Sequence, residues 1–134
     1  MSQWKYIKPS ATTDDIKTFE TLVDITLPKD LQTFLLSHNG GRPPAKAFDT
    51  TQTKGRVFNK LLSLSKTDQE NVFSFQGILS GELPANLIAI ALDPFGNMIC
   101  LDKQNSLNVV FWEHETHVSE TTDKSLLALV NALY

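Results

Sequence analysis

Residues 87–115 read LIAIALD-PFGN-MICLD-KQNSLN-VVFWEHE, and this stretch decides the fold. Leu87 to Leu92 are all apolar, as are Met98 to Leu101. Neither run alternates as a strand with one wet face does, so both are predicted to be strands covered on two sides. Between them, Pro94 sets φ, Gly96 permits positive φ, and Asp93 and Asn97 can hydrogen-bond their own backbone. Asp93 to Asn97 is therefore a tight reversal, and the strands it joins pair antiparallel. After the polar KQNSLN break, the β-branched and aromatic run Val109 to Trp112 supplies a third strand through a second hairpin. The prediction is a three-stranded antiparallel meander at the centre of the fold, and no catalytic signature lies within it.

Downstream, Ser119 to Asp123 offers several helix caps. Leu126, Leu127, Leu129, Val130 and Leu133 then form the apolar face of a helix running to Tyr134. Upstream, Glu82 to Asn86 is a turn into the meander, Asp68 to Phe75 a short helix, and Arg56 to Leu64 a strand leading into a turn. Arg42 to Gly55, rich in Pro, Thr and Lys, is predicted to cross the surface as the most mobile loop, with a strand around Phe48. Two helices precede it. The first is capped by Thr12 or Thr13 and carries Asp14 and Asp15 in its opening turn, with the stripe Ile16, Phe19, Leu22 and Val23. The second starts at Thr26-Leu27-Pro28, buries Leu31, Phe34 and Leu35, and stops at Asn39-Gly40-Gly41. Trp4, Tyr6 and Ile7 form a short edge strand or extended arm closed by Pro9. This order describes an α+β protein, a single domain over residues 1–134, with helices packed on an antiparallel sheet. Loops or the N-terminal segment are expected to supply the second covering layer.

The 134 residues are 41% hydrophobic and 20% charged, ordinary for a soluble globular protein, and no apolar run approaches the ~20 residues that span a bilayer. The opening MSQWKYIKPSATTDD has no apolar signal core, so a cytoplasmic location is expected. Cys100, the single cysteine, forms no internal disulfide and reads as a small core residue. Charge is segregated along the chain. Residues 1–66 hold ten Lys or Arg against six Asp or Glu, whereas 67–120 hold eight acids against Lys103 alone. Such an acidic second half argues against direct nucleic-acid binding and suits a basic protein partner.

Reactive constellations are few. His114-Glu115-Thr116-His117 spaces its histidines by three and not four, and as the continuation of a strand it would send them to opposite faces, so no metal site is expected. The alternative it leaves is a small metal-dependent hydrolase built on His114 and His117. His38 sits in the last turn of a helix, where it can meet free carbonyls. No nucleophile elbow and no phosphate loop occurs, so no catalytic residue and no cofactor is expected. Trp112, between an apolar and an acidic run, is either a partly buried core aromatic or an interface anchor.

In these residues the chain resembles the SUKH superfamily, named in part for a yeast cell-wall-assembly and killer-toxin-resistance regulator. The likeness lies in three blocks: Leu27-Pro28-Lys29-Asp30-Leu31 through Phe34-Leu35 to His38-Asn39-Gly40-Gly41; Leu83-Pro84 with Ile90, Asp93-Pro94-Phe95-Gly96-Asn97 and Ile99-Cys100-Leu101-Asp102; and Val109-Val110-Phe111-Trp112-Glu113-His114-Glu115. With the final helix they span about residues 13–133; an aromatic usual on that helix is replaced by Leu126, Leu127 and Leu129. The resemblance implies a non-enzymatic α+β fold. It also implies an immunity protein that binds and neutralises a cognate secreted toxin, a nuclease with a basic surface, in the cytoplasm and without a membrane. The other reading is a regulatory scaffold binding host proteins. Candidate contact residues are Asp68, Glu70, Glu82, Asp93, Asp102, Glu113 and Glu115, with Trp112.

Overall fold

The structure is a computed structural model that describes residues 3–8 and 11–134. In chain order it contains α1 (Thr13–Val23), α2 (Lys29–Ser37), β1 (Ala47–Phe48), β2 (Arg56–Val57), β3 (Lys60–Leu61), α3 (Val72–Ile78), β4 (Leu87–Leu92), β5 (Met98–Asp102), β6 (Asn108–Trp112), β7 (Ser119–Thr121) and α4 (Leu126–Asn131). Pro9, expected to close the first segment, lies outside the described residues. The α+β architecture is as predicted: a five-stranded antiparallel sheet in the order β3-β4-β5-β6-β7, a separate two-stranded pair β1-β2, and four helices.

The meander β4-β5-β6 is the centre of that sheet. Leu92 pairs with Met98 across the first turn, and Met98 with Trp112 on the other side. Every residue of β4 is buried, and so are Met98 to Leu101 and Val109 to Trp112, which is why these runs are continuous and not alternating. A register shift between Ala89 and Ala91 bulges β4 at Ile90. Gln76 Nε2 of α3 donates to the Ala89 carbonyl at 2.9 Å, beyond the reach of the two-residue β3. Burial pushes the Cys100 thiol well up from its ordinary value, so it stays a neutral core group.

The two sheet faces are covered differently. Phe111 meets Phe48 of β1 with ring centroids 6.2 Å apart, and the Arg56 guanidinium of β2 lies 4.4 Å from the Phe111 centroid. Hence the small β1-β2 pair is part of the second layer. Among the helices, α4 packs on β6 and α2, while α1 meets α3 through Phe19 and Phe73 at 6.3 Å. The N-terminal segment adds Trp4, edge-on to both Phe34 and Phe58. Among its described residues, Lys5 makes an isolated bridge to Arg42 and no strand forms.

Local chemistry sets the helix ends. Thr12 accepts from the Asp15 amide at 3.3 Å while Asp15 Oδ2 accepts from the Thr12 amide at 2.9 Å, a reciprocal capping box. Leu22 departs from the predicted stripe and is exposed, because the buried face of α1 is Ile16, Phe19 and Val23. At the other end of α2, His38 is the C-cap, its ring nitrogen Nδ1 3.1 Å from the Phe34 carbonyl. Gly40 follows with φ +65°, and a Cβ there would come within 2.7 Å of Lys8. Only glycine fits both demands.

Three boundaries differ from the sequence reading. The helix predicted from Asp68 starts at Val72, because Asn71 accepts from the Ser74 amide at 2.8 Å and residues 65–70 are spent in turns. Residues 119–121, taken for caps, form the edge strand β7, and the cap of α4 is Ser125, which accepts from the Ala128 amide at 3.2 Å. Helix α4 itself ends at Asn131. Strand β7 alternates exposed, buried, exposed, but its buried residue is Glu120, so no apolar period marks it.

Glu120 also explains why the 42–55 segment is anchored rather than loose. Its carboxylate accepts from Thr50 Oγ1 at 2.7 Å, Thr53 Oγ1 at 3.0 Å and Arg56 Nη2 at 2.8 Å, and Thr51 N donates to the Thr121 carbonyl at 2.8 Å. The Arg56 hydrogen bond, with help from the two threonines, holds the Glu120 carboxyl below its ordinary 4.5 despite burial. Because the folded value is the lower one, the stabilisation is complete above pH 4.5 and is lost as pH falls through the folded value. Glu120→Gln should therefore lose about 1–2 kcal/mol at pH 7. Urea midpoints should show the gap to the parent narrowing as pH falls below 4.5; a gap unchanged with pH would contradict the assignment.

Candidate protein-interaction site

Both tight turns at one end of the meander are built by short polar side chains. Asp93 is buried and accepts from the amides of Phe95 at 2.8 Å and Asn97 at 2.7 Å, and from Asn97 Nδ2 at 2.8 Å. This Asx-type scaffold shapes the reversal that Pro94 and Gly96, φ +85°, complete. The Asn97 side-chain oxygen then accepts from the His114 amide at 3.1 Å, and His114 Nε2 lies 3.1 Å from the Phe95 carbonyl. Since a carbonyl only accepts, Nε2 of His114 carries the proton. The β4-β5 tip is thus bolted to the β6-β7 tip.

The second tip is closed by its own bonds. Glu113 N donates to the Val118 carbonyl at 2.9 Å and His117 N to the Glu113 carbonyl at 2.8 Å. The Glu113 carboxylate accepts from Thr116 Oγ1 at 2.8 Å and pairs with Arg56 at 3.3 Å. His117, φ +60°, stacks its ring on Trp112 at 5.1 Å. Residues 114–116 are therefore a turn and not the strand continuation that the sequence reading assumed: β6 ends at Trp112, where the chain must reverse to pair with β7. The two imidazoles have different neighbours, His114 at the Phe95 carbonyl and His117 on the Trp112 ring. Among the described residues no group of three or more His, Cys, Asp or Glu is placed to hold a metal ion.

What this end presents to solvent is an aromatic ring beside acid. Phe95 is 73% exposed, and Val118, His114 and Glu115 are exposed with it. A shallow concavity of about 190 Å³ lies between the tips, lined by Phe95, Asn97, Glu113, His114 and Glu115. Such an aromatic, held by a hydrogen-bonded turn, loses little freedom on binding.

Of the candidate contact residues, only Glu113 and Glu115 meet on this surface. Asp93 is the internal scaffold beneath it. Trp112 is 1% exposed, an interior residue beneath His117, and its Nε1 has no hydrogen-bond partner among the described residues. Asp102 lies at the opposite end of β5, accepting from Asn86 Nδ2 at 2.9 Å and the Gln104 amide at 3.0 Å. Glu70 is ion-paired with Lys60, Asp68 accepts from Ser63 Oγ at 2.5 Å, and Glu82 is exposed in the turn after α3. The acidic half of the sequence is therefore dispersed over the fold, not gathered on one face. In the sequence Phe95 reads as turn filler; the signal for its exposure is a large aromatic inside a Pro-Gly turn.

The family model SUKH_6, described as SMI1-KNR4 cell-wall, matches residues 13–130. The chain belongs to the SUKH_6 family. Members of the wider SUKH group are generally non-catalytic immunity or regulatory proteins. No curated protein matches the chain. Within this SUKH fold, the three sequence blocks fall on α2 with its Asn39 terminus, on the β4-β5 hairpin, and on β6 running into the second tip. Two of the three thus meet at the bolted sheet end. No helix among the described residues is long and apolar enough to cross a membrane.

Proposed function

We propose that the protein is an immunity protein that binds a cognate toxin, a nuclease with a basic surface, and neutralises it in the cytoplasm by occlusion and without catalysis. Membership of the SUKH group supports the class of function. The observation that carries the binding mode is the exposed Phe95 ring, held on a hydrogen-bonded turn beside Glu115. An aromatic anchor supplies desolvated contact area, and the adjacent carboxylate steers a basic partner and occupies a position that nucleic-acid phosphate otherwise takes.

The experiment is co-expression with the toxin-domain product of the neighbouring gene, followed by binding kinetics. Phe95→Ala should weaken the complex about 30-fold, or about 2 kcal/mol, mainly through faster dissociation. Glu115→Lys should slow association, and more so at low salt. Glu115 is the cleaner charge to reverse, because Glu113 also holds Arg56 and Thr116. Unchanged kinetics in both variants would remove the sheet tip from the interface.

A further inference from the structure

The N-terminal segment and the chain after α2 enclose a site of opposite charge. Lys5 N donates to the Arg42 carbonyl at 2.9 Å and Arg42 N to the Lys5 carbonyl at 2.8 Å. Beside this two-bond tie lies a cleft of about 560 Å³ with Lys5, Arg42 and Lys46 as its charged lining and Tyr6, Pro43 and Pro44 among its walls. Among the described residues no carboxylate lines it and none of the three cations forms an ion pair. The Arg42 guanidinium lies 5.4 Å from the centroid of the Tyr6 ring, which is nonetheless 71% exposed. Tyr6 takes φ +60°, a left-handed conformation that is strained for a non-glycine residue.

Three like charges in one concavity repel one another and are relieved by a polyanion. A planar guanidinium presents a fork of N–H donors that suits phosphate oxygens in particular. The volume is that of a small-molecule site, the two prolines restrain one wall, and an open tyrosine ring is a platform for a base. We propose that this cleft binds a free nucleotide, its phosphates on Lys5, Arg42 and Lys46 and its base stacked on Tyr6. The site shares no residue with the sheet tip, so it stands or falls independently of the toxin interface.

Isothermal titration of the full chain with ATP, inorganic tripolyphosphate and adenosine tests it. ATP should bind one to one, more weakly as salt rises, and about tenfold more tightly than tripolyphosphate, while adenosine should not bind measurably. Arg42→Gln and Lys46→Gln should each weaken ATP about tenfold. Tyr6→Ala should erase the advantage of ATP over tripolyphosphate. Because the Lys5–Arg42 tie runs through main-chain atoms, the Arg42→Gln protein should still fold, losing only the exposed Arg42–Tyr6 ring contact. Absence of saturable ATP binding, equal affinity for ATP and tripolyphosphate, or indifference to Arg42→Gln would each overturn the proposal. So would a single-stranded oligonucleotide that binds while ATP does not.

Discussion

Asp93→Ala should cost about 3 kcal/mol of stability, because the amides of Phe95 and Asn97 and the Asn97 side chain all lose a charged acceptor in a buried turn. Affinity for the partner should fall with it. Phe95 owes its position to this turn, and the Asn97 oxygen that bolts the second tip through His114 is oriented by the same aspartate. Asp93→Asn is the informative control. Its remaining oxygen can still accept from both amides, but its amide nitrogen then faces Asn97 Nδ2, so an intermediate loss of about 1–2 kcal/mol is expected. Urea unfolding with an unchanged m-value measures both. An Asp93→Ala loss under about 1 kcal/mol would show that the turn holds itself without the carboxylate.

Asn39→Ala should be comparably damaging, again by about 3 kcal/mol. Asn39 is buried, donates to the Lys8 carbonyl at 3.1 Å and Ser63 Oγ at 3.2 Å, and accepts from the Leu64 amide at 2.7 Å. Through Ser63 the network extends to Asp68 and to the Ser65 amide. A single side chain thus joins the N-terminal segment, the end of α2 and the chain after β3. Asn39→Asp keeps the acceptor for Leu64 but aims a buried charge at the Lys8 carbonyl, with Asp68 on the far side of Ser63. It should therefore be no better than alanine at pH 7 and should recover as pH falls and the new carboxyl is protonated. If Asn39→Asp folds as stably as the parent at pH 7, the network is solvated and not structural.

The two residues illustrate different degrees of legibility. Asp93 is readable as a turn builder, since its bonds reach only two to four residues along the chain, whereas the Asn97 bond to the His114 amide spans 17. Asn39, in the triplet Asn39-Gly40-Gly41, reads as a helix stop and is one; its bonds to Ser63 and Leu64 span 24 and 25 residues and leave no local mark. Glu120 is a similar case. A buried acid in an edge strand three residues long looks like surface until Arg56, Thr50 and Thr53 are seen around it.

Charge shows the limit of linear reading most clearly. Residues 67–120 are acidic as a segment, yet antiparallel strands carry successive residues to opposite ends and faces of the sheet, so Glu113 and Asp102 finish far apart on the meander.

The meander, its first turn and the residue class of its core are legible in the order of residues, because continuous burial and tight reversal are imposed by neighbours in the chain. Tertiary structure alone decided that Phe95 and Glu115 share a bolted tip, that Trp112 lies inside, and that Lys5, Arg42 and Lys46 face one cleft. Those placements depend on contacts between distant segments, whose strengths are set by three-dimensional packing and have no periodic trace in the order of residues.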